Sequence, residues 1–542
     1  VTATATTPGL TPQPGGMVRA WLTTTDHKRM AILTGGTAMV VFLGMGVLAL
    51  LMRYQLARPE NRVLSSQVYD EVFTIHGSGM IYLAITPLAL AMGLYLVPLQ
   101  VGAPNVAAPR TTMAGYWIYL FGAIAMLSGF SVSTGTAQAG WTNFTPLSNS
   151  TYSPGAGQDL WILGAFLSTV GMILIGGTVL WTALLKRAPG MTMLRLPVFT
   201  WSMIATNLMV VGSFPALLAA LALVVVGRIV PSVFLDNIWN IGYQNLFWFY
   251  AHPVVYVMFF PFVGAVAEVL ATFSGRRFFG YAGTVLALLV FAGLSMSVWG
   301  HHMFTTGQSA DDYYSLTSIA LLLPAGVEYF GMLGTILGGR LVFRTPMLFA
   351  LAFLPQFLVG GLTGIMVGTP VLDYQVRGSY FIVAHFHYTL MAGSVFGLFA
   401  GLYFWFPKVT GRILDETLGR VHFVLMTVGV NATFLPMFWL GQDGMPRRVS
   451  SYLPEDGFGT LNLISSCGAA VLGLGMVVFV VNVVRTLLRP ATAPADPWHG
   501  FTLEWATSSP PPPLNFEDAS LPPITSYAPL LDLRQRAEEP AS

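Results

Sequence analysis

Twelve stretches of this chain are each apolar over about twenty residues, the length a helix needs to cross a bilayer. They run roughly over 30–52, 73–99, 114–134, 160–185, 198–226, 246–271, 280–304, 313–338, 346–367, 380–405, 421–441 and 461–484. Backbone groups in lipid must pair within their own segment, so these stretches are helices. A membrane barrel would show alternating ten-residue segments instead. Of the 542 residues, 54% are hydrophobic and only 9% charged, against about 25% charged in soluble proteins. Too few polar side chains remain to coat a water-facing surface. That excludes a soluble enzyme, a disordered chain and a nucleic-acid binder, and a net charge of +2 implies no polyanionic partner. The expected fold is an all-α polytopic bundle of about 12 transmembrane helices.

An even number of crossings places both termini on one side. Of the 25 Lys and Arg, 18 fall on that side, and 7 (Arg53, Arg58, Arg62, Arg228, Arg377, Arg447 and Arg448) on the other. By the positive-inside rule the termini face the cytoplasm. Val1 to Gln13 lacks the basic-then-apolar pattern of a cleaved signal, so the first apolar helix is expected to be a membrane span. Three segments follow: a cytoplasmic 1–29, a twelve-helix domain over 30–486, and a Pro-rich cytoplasmic tail over 487–542. The tail is expected to be either a docked extended strap or disordered. A single cysteine, Cys467, allows no internal disulfide and reads as a buried, inert thiol.

Of nine histidines, His27, His422 and His499 lie near span ends or in the tail, where a surface role suffices. The other six (His76, His252, His301, His302, His385 and His387) lie within or at the ends of spans. Polar side chains are costly in hydrocarbon and mark function there. With few acids to pair with, six such rings point to metal, and imidazole suits iron and copper. His385 and His387 are about 200° apart around one helix, so they would serve two metals on opposite sides. His252 and Tyr256 share a face. The adjacent His301 and His302, at a span end, could both turn to one ion.

Three segments carry a resemblance: Trp248-Phe249-Tyr250-Ala251-His252-Pro253-Val254-Val255-Tyr256, Trp299-Gly300-His301-His302-Met303-Phe304 and Ala384-His385-Phe386-His387-Tyr388. They resemble subunit I of the haem–copper terminal oxidase superfamily. Thr25-Asp26-His27-Lys28, Gly102-Ala103-Pro104, Phe396-Gly397-Leu398-Phe399-Ala400-Gly401 and Gly444-Met445-Pro446-Arg447-Arg448 extend it over about 420 residues.

The resemblance implies the catalytic subunit of a respiratory terminal oxidase, reducing dioxygen to water with two haems, haem A by type, and one copper ion. It places His76 and His387 on a low-spin haem iron, His385 on the high-spin haem iron, and His252, His301 and His302 on copper. Tyr256 would be the tyrosine cross-linked to the copper histidine. Arg447 and Arg448 would hold haem propionates, Arg53 the formyl group of haem A, and Trp299 would match the tryptophan just before the histidine pair. Implied partners are membrane lipid, a subunit II that passes on electrons, a subunit III and small subunits. The donor would be cytochrome c, another small redox protein or a quinol. The implied place is a prokaryotic cytoplasmic (inner) membrane.

The proton machinery departs from that pattern. Val254 stands where pumping members commonly have glutamate, and Asn105 where they have aspartate. Thr111 and Thr112 replace two asparagines, and Ala251 a serine beside Tyr250. Glu328 aligns with a channel lysine and Ala325 with its threonine, and Arg377-Gly378 stands where the family has magnesium ligands. Valine and asparagine cannot titrate, so that channel is expected to be disabled. Glu328 would lie roughly 6 Å further inward than Tyr256 at about 1.5 Å per residue. It is the candidate proton path, with weak or absent pumping. Two alternatives stand beside this reading. A nitric oxide reductase of the same superfamily would need glutamates near a non-haem iron, and a twelve-span transporter would need inverted repeats.

Overall fold

The computed structural model describes residues 16–235, 237–516 and 521–538. It folds the twelve apolar stretches into twelve helices long enough to cross a membrane: α1 His27–Gln55, α2 Ser66–Gln100, α3 Pro109–Ser131, α4 Ala156–Leu185, α5 Val198–Ile229, α6 Ile238–Phe273, α7 Tyr281–Thr306, α8 Asp311–Leu337, α9 Thr345–Val367, α10 Tyr380–Thr410, α11 Glu416–Gln442 and α12 Gly459–Leu487. No strand occurs among the described residues, only isolated bridges at Thr136–Gly157 and Ser379–Pro446. Several helices begin before their apolar windows because their first turns are polar. The side chains of Asp26, Ser65, Ser379 and Asp415 accept from the backbone N–H groups of those turns, as N-caps do. The signal expectation for Val1 to Gln13 lies outside the described residues.

Burial sorts the helices. The chain itself covers 89% of the apolar window of α2 and of α6 and 72% of that of α10, but 22% in α1 and 33% in α8, α9 and α12. The three most covered helices carry His76, His252 and the His385–His387 pair. The others ring them and turn side chains such as Val40, Phe121, Trp181, Leu286 and Leu474 outward. Lipid is no less apolar than these groups, so close packing rather than water exclusion joins the helices. α3 and α4 show it: a Cβ at Gly164 would come within 2.7 Å of the Gly122 carbonyl oxygen, and one at Gly171 within 2.6 Å of that of Gly115.

Three local irregularities shape the centre. α2 widens into a π-helix over Gly79–Ile85 and α10 over Leu390–Ser394. Each begins three residues after a candidate ligand, His76 or His387. Such turns are rare in helices and concentrate at functional sites. α7 ends as a tighter 3-10 helix over Trp299–Thr306.

Of the two expectations for the tail, the docked strap is what the described residues show, with a helix over Pro529–Glu538. It buries Phe501, Leu503 and Trp505 against the bundle. Lys408 Nζ donates to the carbonyls of Ala495, Thr507 and Ser508 at 3.0, 2.7 and 3.1 Å. The fully buried Glu504 accepts at Oε1 from Gln100 Nε2 at 3.1 Å and Trp405 Nε1 at 3.0 Å. Burial pushes the Glu504 carboxyl above the usual carboxylate range because the charged form loses its water. The docked strap therefore favours the protonated acid. Docking is strongest below the ordinary carboxylate range and weakens as pH rises towards the raised value. Proteolysis of the strap in detergent should be faster at pH 8 than at pH 6 relative to Glu504→Gln protein. Equal pH dependence in the two proteins would refute this.

Three surface and burial expectations need correction. His27 is fully buried, its Nδ1 donating to the Leu94 carbonyl at 2.9 Å and its Nε2 3.1 Å from Asn515 Oδ1. His422 is also fully buried, 3.2 Å from the Tyr403 hydroxyl and packed on Phe349 and Phe399. The strap covers the first and α9 and α10 cover the second, which position along a span could not reveal. Cys467 is exposed rather than buried; it lies on an outer face of α12.

Candidate metal centre

His252 on α6 and the His301–His302 pair on the 3-10 end of α7 bring their ligand nitrogens within 4.8 Å of one another. Neighbouring residues on an α-helix diverge by about 100°. On a 3-10 turn they diverge further, by about 120°, yet the two Nε2 atoms lie 3.1 Å apart. His302 Nε2 is also 3.0 Å from His252 Nδ1. Nitrogens about 2.0–2.1 Å from one divalent ion, held near right angles, would lie about 3 Å apart, so the donor set fits a single ion. Two supports hold the rings. His302 stacks on Trp248 at 4.0 Å and 11°. His301 Nδ1 lies 2.7 Å from Ser318 Oγ. That hydroxyl spends its own proton on the Tyr314 carbonyl, so the ring nitrogen donates.

These rings open on a cavity of about 1120 Å³ that His76, His385 and His387 also line. A pocket for one small ligand is typically about 300–1,000 Å³, so the cavity has room for more than one group. On α10, His385 Nδ1 donates to the Gly360 carbonyl at 3.1 Å, and Gly364 leaves room for the ring, since a Cβ there would stand 3.1 Å from His385 Cε1. His76 Nδ1 donates to the Met45 carbonyl and His387 Nδ1 to the Val383 carbonyl, each at 2.8 Å. Each of these bonds fixes the tautomer and leaves Nε2 as the lone-pair nitrogen, the usual arrangement behind a metal-bound imidazole. His387 stacks on Phe434 at 4.2 Å. The residues thus fit two haems and one copper: three converging imidazoles for the ion, and three pre-oriented ones along a mostly apolar cleft.

Other expected site residues distribute unevenly. Arg447 and Arg448 line the cavity, and the Arg447 backbone N–H donates to the Gly378 carbonyl at 2.9 Å. Burial, with Arg448 and Arg377 nearby, lowers the Arg447 guanidinium to about 10, so the site favours an incoming anion. Arg53 lines the cavity, its Nη2 held by Asn462 and Ser466 at 2.9 and 3.0 Å and its Nε without a hydrogen-bond partner among the described residues. The Tyr256 ring lies 4.8 Å from His252 and lines the cavity. Glu328 is 3% exposed, its Oε1 without a hydrogen-bond partner among the described residues. It is not on the cavity wall, although Ala325 and Tyr329 on the same helix are. Nor does the structure bring Trp299 to the cavity. Its Nε1 donates to Asn245 at 3.2 Å and its ring packs on Phe249 and Tyr314. Trp248 and Arg377 were missed by sequence reasoning. For Trp248 a signal existed: it precedes His252 by four residues, hence shares its face.

Residues 29–471 match the family model of cytochrome C and quinol oxidase polypeptide I. The chain belongs to this family. It is 46% identical over 535 residues to a probable cytochrome c oxidase subunit 1-beta of Nocardia farcinica, covering 97% of this chain and 91% of the relative. It is 45% identical to a cytochrome c oxidase subunit 1 of Corynebacterium efficiens, with 96% and 91% covered. The fold resembles that in a cryo-EM structure of a heme-copper terminal oxidase dimer, with TM-score 0.72, 17% identity, and 86% of this chain and 84% of that one covered. The chain is a haem–copper oxidase catalytic subunit, an oxidoreductase of the respiratory chain that binds two haems and one copper. It is an integral membrane protein that works with other oxidase subunits.

Proposed function

We propose that the six histidines divide as the resemblance implies: His76 and His387 on the low-spin haem, His385 on the high-spin haem, and His252, His301 and His302 on copper. The observation that carries this is the convergence of the last three on one point of a cavity that His385 also lines. When bound, the haem–copper pair supplies the four-electron reduction of dioxygen to water. The chain's own part is to hold ligands, exclude water and move protons. Arg447 and Arg448 bind haem carboxylates by paired N–H bonds, and Arg53 favours the formyl group of haem A. Trp299 acts on the histidine turn from behind, through its packing. Tyr256, beside His252, holds a proton at its hydroxyl where the substrate is reduced. The His252 Nε2 atom, without a hydrogen-bond partner among the described residues, suits the proposed cross-link.

Glu328 holds a proton on the cytoplasmic side of Tyr256. Val254 and Asn105 cannot carry one, so input runs through Glu328 and pumping is weak or absent. The reading keeps 30–486 as the catalytic domain, with 1–29 and 487–542 on the cytoplasmic side of an inner membrane. A subunit II delivers the electrons, a subunit III and small subunits complete the complex, and the relatives' names favour cytochrome c over a quinol as donor.

The test is the purified complex and its Glu328→Gln variant. Both should hold the same two haems and the same copper content. Oxygen turnover in the variant should fall at least ~100-fold, the low side of what a positioned proton donor contributes. Unchanged turnover would end the Glu328 path. A second non-haem iron in place of copper, with nitric oxide turnover, would replace the whole reading.

A further inference from the structure

Arg377 lies between the short helix Pro370–Val376 and α10, and lines the cavity. Its guanidinium makes three bonds: Nη2 to the His301 carbonyl at 2.6 Å, Nη1 to the His302 carbonyl at 2.7 Å, and Nε to Asp373 Oδ2 at 2.5 Å. Asp373 is fully buried, and its other oxygen, Oδ1, has no hydrogen-bond partner among the described residues. The backbone of Arg377 is tied too, its N–H donating to the Asp373 carbonyl at 2.7 Å.

We propose that Arg377 is a positioning residue that clamps the His301–His302 peptide planes so that both rings meet one copper ion. The inference rests on the copper assignment above. Adjacent side chains do not normally face one point; here their Nε2 atoms are 3.1 Å apart. A planar fork bonded to two successive carbonyls fixes their relative tilt, and with it the direction of both Cα–Cβ bonds. Asp373 holds the fork in plane from the third side. Lysine, a single point donor, cannot reproduce this. The guanidinium also sets a fixed positive charge on the backbone of two ligands. Removing it while the Asp373 carboxylate stays makes the ion harder to reduce.

The experiment compares the purified complex carrying Arg377→Gln, Arg377→Lys or His302→Ala with the unsubstituted complex. It measures copper-to-iron ratio, copper retention against a chelator, the copper midpoint potential and carbon monoxide recombination at the reduced site. Arg377→Gln should keep both haems, bind copper about 10–100-fold more weakly, as outer partners of metal ligands do, and lower the copper potential. Arg377→Lys should weaken copper equally but hold the potential closer to the unsubstituted value. Full copper retention with unchanged recombination in Arg377→Gln overturns the inference. So does loss of haem together with copper, which would mark a general packing role. If His302→Ala keeps its copper, the copper assignment itself fails. If only the arginine variants are silent, the assignment stands and the clamp falls.

Discussion

A complex carrying His302→Ala should keep two haems and lose copper and oxygen reduction together, turnover falling more than ~100-fold. Outer partners of metal ligands alone are worth about 10–100-fold, and His302 is more than an outer partner. Its Nε2 is the atom common to both short contacts, 3.0 Å from His252 and 3.1 Å from His301. Without it the other two rings keep only their own edge-to-face contact, centroids 4.4 Å apart. The protein around it should survive the change, because Trp248 is anchored independently on Trp141, Phe144 and Phe247. Metal analysis with an oxygen electrode checks this. Retained copper with turnover within tenfold of the original would show that the three imidazoles do not hold the ion.

Tyr256→Phe should leave metal and haem content intact while oxygen turnover drops by about 10²–10⁴-fold, the usual worth of a positioned proton donor. The ring itself is held by apolar packing, with Phe291 at 5.0 Å and Phe260 at 6.1 Å, so phenylalanine fits the same space. The hydroxyl is lost, and with it the phenol that the proposed cross-link to His252 needs. Because fold and cofactors stay, a fall in rate can be assigned to the missing phenol. Turnover within tenfold would take the hydroxyl out of the reaction.

The twelve spans were legible because twenty apolar residues in a row have few other uses. The histidines were legible because imidazole is costly in hydrocarbon. What escaped was direction around an axis. Trp299 adjoins the histidine pair in sequence, but on a turn of about three residues it faces Asn245 and Tyr314 instead. Trp248, four residues from His252, is the tryptophan that reaches a ligand. Arg377 was read as a departure from a pattern, since no spacing rule links it to carbonyls about 75 residues earlier in the chain. His27 and His422 were misplaced for a related reason: a residue near a span end can still be roofed by a distant segment, as Asn515 roofs His27.

The two π-helical turns carry a consequence of their own. Each fits an additional residue into one revolution, so the halves of α2 and of α10 are indexed differently from a continuous spiral. Delete a single amino acid from Leu390–Ser394 and the helix could close up as an ordinary coil. The residue lost is the one the wide turn absorbs, so the two halves would keep their relative rotation. Delete one instead from the regular turns of Val395–Thr410, and whatever follows rotates by about 100° relative to His385 and His387. Each wide turn is thus the one place in its helix where a residue can be given up without re-aiming the ligands before it.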